Sequence, residues 1–265
     1  TPDAPLLACW SVGLAAAVAG GRGWWLVGVA GALATLSKYT GLALFPLAWI
    51  AVRDRDRHVL GGLIVHLLLL VPHALWLYGH GFVSVRFRLV AGLLNPHPPG
   101  WTGPLQVVAQ QLGVLTPLTA LAAVWALLQV PHDRTSRVAW ATSAPLLLGF
   151  LVASIGGPPE AHWPAPAWIG VGVLLGHATG RLERLTWAGL GLGTLASVLL
   201  VAHATWRLVP LKLDPADRVA EGPLLAEAVG AWALPDGVGL REPGVERATP
   251  VFTERYQEAA LIRWY

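Results

Sequence analysis

The 265-residue chain has no methionine, one cysteine, four tyrosines and five phenylalanines, and only 12% of its residues are charged. Each shortage excludes something. Cys9 stands alone, so no disulfide closes within the chain and no cysteine metal site forms. The charged fraction is about half that of an ordinary soluble domain. Lysine is scarce as well: Lys38 has no lysine neighbour until Lys212, in a protein that otherwise uses arginine. With no methionine, no signal peptide and Thr1-Pro2-Asp3 at its start, the chain reads as a fragment lacking its N-terminus.

What is present is apolar. Hydrophobic residues make up 55% of the chain and the mean hydropathy is +0.57. Several apolar runs approach the length of about 20 residues that crosses a hydrocarbon core. The composition predicts an all-α polytopic membrane protein. The polar breaks between the runs alternate in character. One set carries arginine: Arg22, then Arg53, Arg55 and Arg57, then Arg134 and Arg137, then Arg181 and Arg184. Basic loops stay in the cytoplasm, which puts the other set outside. That outer set holds Asp3, Lys38, Tyr39, Arg86, Arg88, Glu160 and His162. The net charge of +3 and the pI near 9.4 come largely from the arginine clusters. Anionic headgroups and the topology rule account for them, with no nucleic-acid partner.

Residues 1–206 are expected to form about seven to eight membrane segments. The first, Ala4 to Ala19, runs inward to the Gly20-Gly21-Arg22-Gly23 turn. Trp24 to Leu36 spans roughly 20 Å as a helix, short of a core of about 30 Å. With arginines flanking both ends, residues 24–52 form either a short helical hairpin with its tip in the outer half or one long helix with Lys38 mid-span. The charge pattern fits the hairpin better. Val59 to Tyr78 goes outward, with a kink expected at Pro72, and an outer segment with an amphipathic stretch from Phe82 to Leu89 follows. Leu105 to Val130 returns inward, Val138 to Ile155 goes out, Ala165 to Gly176 comes back and Leu185 to Trp206 exits. Residues 207–265 read as the start of a small α/β extracytoplasmic domain, truncated at its end.

The outer groups each have a functional and a plain reading. Asp3 suits a helix N-cap and equally a substrate-facing carboxylate, and one residue can serve both. Lys38 lies where a charge costs about 2.5–3.5 kcal/mol unless paired or hydrated, so it marks a function or snorkels to the interface. Glu160 and His162, before Trp163-Pro164, set an acid and an imidazole beside a rigid turn. They could bind sugar hydroxyls or a phosphate counter-ion, or simply form an anchored turn, and a metal would need a third ligand. The forks of Arg86 and Arg88 fit phosphate oxygens, whether of a donor or of bulk headgroups. Gln110 and Gln111 are suited to a polar substrate or to another helix.

Five segments taken in order carry a resemblance. They are Thr1-Pro2-Asp3-Ala4-Pro5-Leu6, Leu36-Ser37-Lys38-Tyr39-Thr40, Pro72 through Trp76 into His80 and Ser84, Gln110 through Pro117, and Glu160-Ala161-His162-Trp163-Pro164-Ala165-Pro166. Together with a tail running Arg255 to Tyr265, the chain resembles bacterial members of glycosyltransferase family 39. These are GT-C membrane enzymes related to protein O-mannosyltransferases and lipid A aminoarabinose transferases. The resemblance implies a GT-C helical bundle and inverting transfer of a sugar from a polyprenyl-phosphate donor to a protein, glycan or lipid A acceptor. It implies Asp3 and Glu160 as catalytic acids, with the principal aspartate upstream of Thr1. Lys38, Arg86 and Arg88 would take the donor phosphate, and Tyr39, Gln110, His162 and Trp163 the substrate. His162 stands where such relatives usually have asparagine, and Tyr78-Gly79-His80-Gly81 departs from their tryptophan–asparagine version.

The expectation is therefore a membrane glycosyltransferase of a bacterial inner membrane, its active face and tail outside. No cofactor is indicated and metal dependence stays open. The alternative is a transporter or lipid flippase with a discontinuous helix at Lys38.

Overall fold

The computed structural model describes residues 3–52, 57–86, 100–129, 131–156 and 161–206. Arg88, Glu160 and the tail expected to be an α/β domain lie outside them. The chain divides into two units, Thr1–Thr194 and Leu195–Tyr265; of the second, the described part is the end of the last helix. The described residues are mostly helical and contain no strand. Three helical stretches, Arg57–Gly79, Arg134–Ala153 and Gly180–His203, are long and apolar enough to cross a membrane.

Helix α1 (Asp3–Ala19) and helix α2 (Gly23–Ser37) run antiparallel. The reversal uses Gly20 and Gly21 at φ 67° and 49°, a left-handed conformation that glycine adopts without a Cβ penalty. The end of α1 is capped from a distance: Arg134 donates to the Ala17 carbonyl from Nε at 3.1 Å and Nη2 at 2.8 Å. Two orphan-carbonyl bonds thus tie the first helix to a segment more than a hundred residues away.

Helix α2 stops at Lys38, whose backbone is extended (φ −159°, ψ 136°). A 3-10 turn, Tyr39–Ala43, and helix α3 (Leu44–Val52) then double back along α2. A Cβ on Gly41 would overlap the backbone of Ala34 and Thr35, so glycine is what allows this approach. Phe45 packs on Trp24 with ring centroids 5.5 Å apart. The segment 24–52 is thus a helix and a returning arm, not one continuous helix.

Helix α4 (Arg57–Gly79) continues through Pro72 and crosses α2 at closest approach. At that crossing a Cβ on Gly28 would strike the Gly62 carbonyl, and a Cβ on Gly62 the Trp24 carbonyl. Gly31 lies under the His66 ring and Gly61 under the Trp25 indole. The large apolar side chains of α4 point away: Leu67, Leu68 and Leu75 are more than half exposed. Small residues inside and leucines outside is the arrangement suited to a hydrocarbon surround, where association rests on close backbone packing.

The expected inward span Leu105 to Val130 is two helices, α5 (Thr102–Leu115) and α6 (Pro117–Leu128), bent by 111°. Thr116 sits between them at φ 68°, ψ 149°, a region that L-residues occupy only under strain. Pro117 starts α6 at the position where its missing N–H costs nothing. Helices α7 (Arg134–Ala141) and α8 (Ala144–Ala153) together make a stretch long and apolar enough to cross a membrane. Asp133 and Ser136 make a capping box at its start, Ser136 N–H donating to Asp133 Oδ1 at 2.8 Å. The bond from that N–H holds the Asp133 carboxyl below its usual range, helped by the Ser136 hydroxyl. Helix α9 (Ala165–Gly176) is tied to Ser143 through its Oγ, which donates to the Ala167 carbonyl at 2.7 Å. Helix α10 (Gly180–Trp206) closes the described chain.

The glycine crossing makes a direct prediction. Gly28→Ala forces a methyl into the Gly62 carbonyl and should destabilise the fold by about 1–3 kcal/mol. Gly191→Ala, where a Cβ meets nothing within 4 Å, should leave stability unchanged or slightly raised. Thermal unfolding of both variants in detergent measures the difference; equal midpoints would show that the α2–α4 contact is not tight.

Candidate functional site

The antiparallel pairing of α1 and α2 brings the start of the first helix to the end of the second. Asp3 is in the first turn of α1 and Lys38 follows the last turn of α2. Lys38 Nζ donates to Asp3 Oδ1 at 2.9 Å, with side chains 22% and 20% exposed. The lysine thus has an anion within ion-pair distance. Asp3 Oδ2 faces His162 Nε2 at 3.5 Å. One carboxylate therefore bridges an ammonium and an imidazole supplied by three separate segments.

Tyr39, next to Lys38, extends the cluster toward α4. Its hydroxyl is 3.3 Å from His73 Nε2. His73 stacks on Trp76 at 6.1 Å between centroids, and Trp76 on His80 at 4.4 Å. The spacing i, i+3, i+7 puts all three rings on one face of the helix. His80 Nδ1–H donates to the Trp76 carbonyl at 2.8 Å, which leaves Nε2 as the acceptor in the neutral ring. Arg86 is reached after Gly81 and Phe82, both at positive φ, and its guanidinium folds back toward Gly81. It keeps company with the His80 end of the row. The seven residues from His73 to His80 correspond to about 10 Å of helix, so the structure does not join Arg86 to Lys38.

The two glutamines behave differently from one another. Gln111 Nε2 donates to the Ala161 carbonyl at 2.9 Å, and Trp168 Nε1 donates to Gln111 Oε1 at 2.8 Å. Gln110, the one expected to meet substrate, has its Oε1 buried and without a hydrogen-bond partner among the described residues. Trp163 packs against Phe150 of α8 with centroids 6.4 Å apart. Among the described residues, no three His, Cys, Asp or Glu side chains converge as metal ligands.

The opposite end of unit 1 has a different chemistry. There Trp25 Nε1 donates to His58 Nδ1 at 3.1 Å, Arg134 caps α1, and Leu182, in the first turns of α10 beside Arg181 and Arg184, packs with Ala122 and Ala126. Arg134, Arg181 and Arg184 thus gather at one end of the unit, and Asp3, Lys38, Tyr39, His73 and His162 at the other.

Sequence reading placed Asp3, Lys38, Tyr39 and His162 on one side but missed His73, Trp76 and His80 as their neighbours. The signal was available as the ring spacing on α4. Compared with protein-family models, with curated proteins and with solved structures, the chain finds no match.

The Asp3–Lys38 bond is measurable. A double-mutant cycle on stability with Asp3→Asn and Lys38→Met should give a coupling of about 1–2 kcal/mol, between the values of exposed and buried pairs. Additive effects would mean that the two side chains stand near each other without interacting.

Proposed function

We propose that the chain is most of a membrane glycosyltransferase that uses a polyprenyl-phosphate sugar, with the Asp3–Lys38–His162 cluster at the reacting end. The observation that carries the reading is that convergence: an acid, an ammonium and an imidazole held together at the end of an otherwise apolar bundle. Perturbable acid–base groups gathered where charge is expensive are characteristic of functional sites.

The chemistry such a cluster would support is inverting transfer. The acceptor hydroxyl oxygen attacks the anomeric carbon, its proton goes to a carboxylate, and the bond from that carbon to the donor phosphate breaks. The leaving phosphate gains charge and needs a cation beside it. Lys38 is suited to that task by moving its ammonium from Asp3 to the phosphate. Asp3, relieved of the lysine, then has a carboxylate oxygen open to the acceptor. The principal base is assigned upstream of Thr1, as the family resemblance implies. Tyr39 and the row His73, Trp76 and His80 offer hydroxyl, imidazole and indole groups toward the sugar or its phosphate. Arg86 is a second cation about two helical turns along. Glu160 is retained as a candidate acid, and Arg88 as a candidate phosphate ligand.

Full-length protein in lipid nanodiscs, supplied with a panel of labelled polyprenyl-phosphate sugars, should release lipid phosphate in the presence of an acceptor. Lys38→Ala should lower turnover at least about a hundredfold, the loss of one charge-stabilising donor. Lys38→Arg should rescue only partly, because a planar fork cannot replace a compact ammonium. Glu160→Gln separates charge from packing at that position. No release of lipid phosphate with any acceptor would remove the proposal.

A transporter or lipid flippase is the second reading. The break at Lys38 and the bend at Thr116 favour it, since interrupted helices line transport sites. The Asp3–Lys38–His162 cluster sits at one end of unit 1 and not midway along its helices, which favours the enzyme. A cysteine at position 38 that reacts from both sides of the membrane would support transport; reaction from one side only supports the enzyme.

A further inference from the structure

His162 reaches Asp3 from a turn, residues 161–164, that leads into α9. A turn is a poor platform for a group whose place beside a carboxylate must be held to within about 0.5 Å. Something must hold it. The structure assigns that task to Gln111: we infer that it is a positioning residue, acting on the site through His162, and this inference rests on the glycosyltransferase reading above.

The geometry leaves little freedom. The Ala161 carbonyl can only accept a hydrogen bond, and the Trp168 indole N–H can only donate one. Between them the Gln111 amide has a single orientation, Nε2 toward Ala161 at 2.9 Å and Oε1 toward Trp168 at 2.8 Å. Amide orientations are ordinarily ambiguous; here both partners select the same one. Ala161 is the residue before His162, and Trp168 lies in the first turns of α9. One side chain from α5 therefore clamps the turn and the helix that follows it. Both bonds are partly buried, where water competes less with a hydrogen bond. Ala165 N–H donates to the His162 carbonyl at 3.1 Å and Ala167 N–H to the Pro164 carbonyl at 2.9 Å, which closes the turn locally. Trp163 packs the turn on Phe150 of α8, and the Gln111 clamp ties the residue before His162 to a further element, α5.

No shorter or differently charged side chain does both jobs. Asparagine lacks a methylene and cannot reach both partners. Glutamate can still accept from Trp168 but turns an oxygen toward the Ala161 carbonyl. Leucine fills the space and makes neither bond. Trp168→Phe removes one arm and leaves the other. Gln111→Glu and Gln111→Leu alter the bonds at nearly constant volume, whereas Gln111→Asn and Trp168→Phe also remove atoms.

The test has two readouts on full-length protein in nanodiscs. The first is the rate at which diethylpyrocarbonate modifies His162, followed by peptide mass spectrometry so that the other histidines serve as internal controls. The second is turnover on the lipid-linked sugar. Gln111→Leu should raise His162 labelling selectively and lower kcat about tenfold or more, the scale of a misplacement of up to 1 Å, with KM little changed. Gln111→Glu and Trp168→Phe should fall between it and the wild type on both readouts. If Gln111→Leu does not insert, these two milder variants decide the matter. Selective labelling of His162 that follows the series supports the inference even in a protein with no transferase activity, where the functional reading alone would fail. Labelling and kcat unchanged in all variants of an active enzyme would overturn the inference and leave the functional reading standing. A stability loss without selective labelling would make Gln111 an ordinary packing strut, and would overturn it too.

Discussion

A lone ammonium at the end of an apolar helix must find an anion or water, and Lys38 finds Asp3 at 2.9 Å. Much of the structure near the site is organised around that bond. It closes the α1–α2 pair at the end away from the Gly20-Gly21 turn. It lies at the point where α2 stops and the chain reverses, the extended Lys38 backbone being unable to continue the helix. It also leaves the second carboxylate oxygen free to face His162. A charge that costs about 2.5–3.5 kcal/mol alone in a membrane interior costs less with a carboxylate at 2.9 Å.

The remaining packing follows from having apolar surroundings on the outside. Where leucines face outward, helices gain little by burying them against each other, and the contacts that matter are backbone against backbone. Gly28 on Gly62, Gly103 on Ser154 and Gly170 on Ser143 with Ala139 are the places where this happens. Polar side chains then act as specific ties between helices: Arg134 to Ala17, Ser143 to Ala167, Trp140 to Leu127 and Gln111 to Ala161. Each pairs a donor with a carbonyl that its own helix leaves open or shares.

These two kinds of contact were unequally legible in the sequence. Hydropathy delimits some of the apolar helices closely and others not. Helix α9 begins and ends where the apolar run does, and α4 differs by a residue or two. Helix α10, however, begins five residues before Leu185, and the run Val138 to Ile155 is two helices, the first starting at Arg134. The alternation of arginine clusters with mixed polar breaks is enough to group Asp3, Lys38, Tyr39 and His162. It does not say that Lys38 is already paired, because its partner lies 35 residues away and only the antiparallel fold joins them. The bend at Thr116 went unread although its signal is local: the residue before a proline avoids the helical region, and the run from Leu105 to Val130 looked continuous only because it is apolar throughout. A sequence gives two adjacent amides no means of choosing between them; in the structure Gln111 meets the Ala161 carbonyl and Trp168, and the Oε1 of Gln110 is buried.

The central claim is that the acid–base cluster and the arginine clusters occupy opposite faces of a membrane. Single cysteines placed at Tyr39, His80, Arg22 and Arg181 in a Cys9→Ser background, probed in sealed right-side-out vesicles with a membrane-impermeant maleimide, test it most directly. The account predicts that positions 39 and 80 react at once and that positions 22 and 181 react only after the membrane is opened. Reaction of positions 39 and 22 from the same side would contradict it.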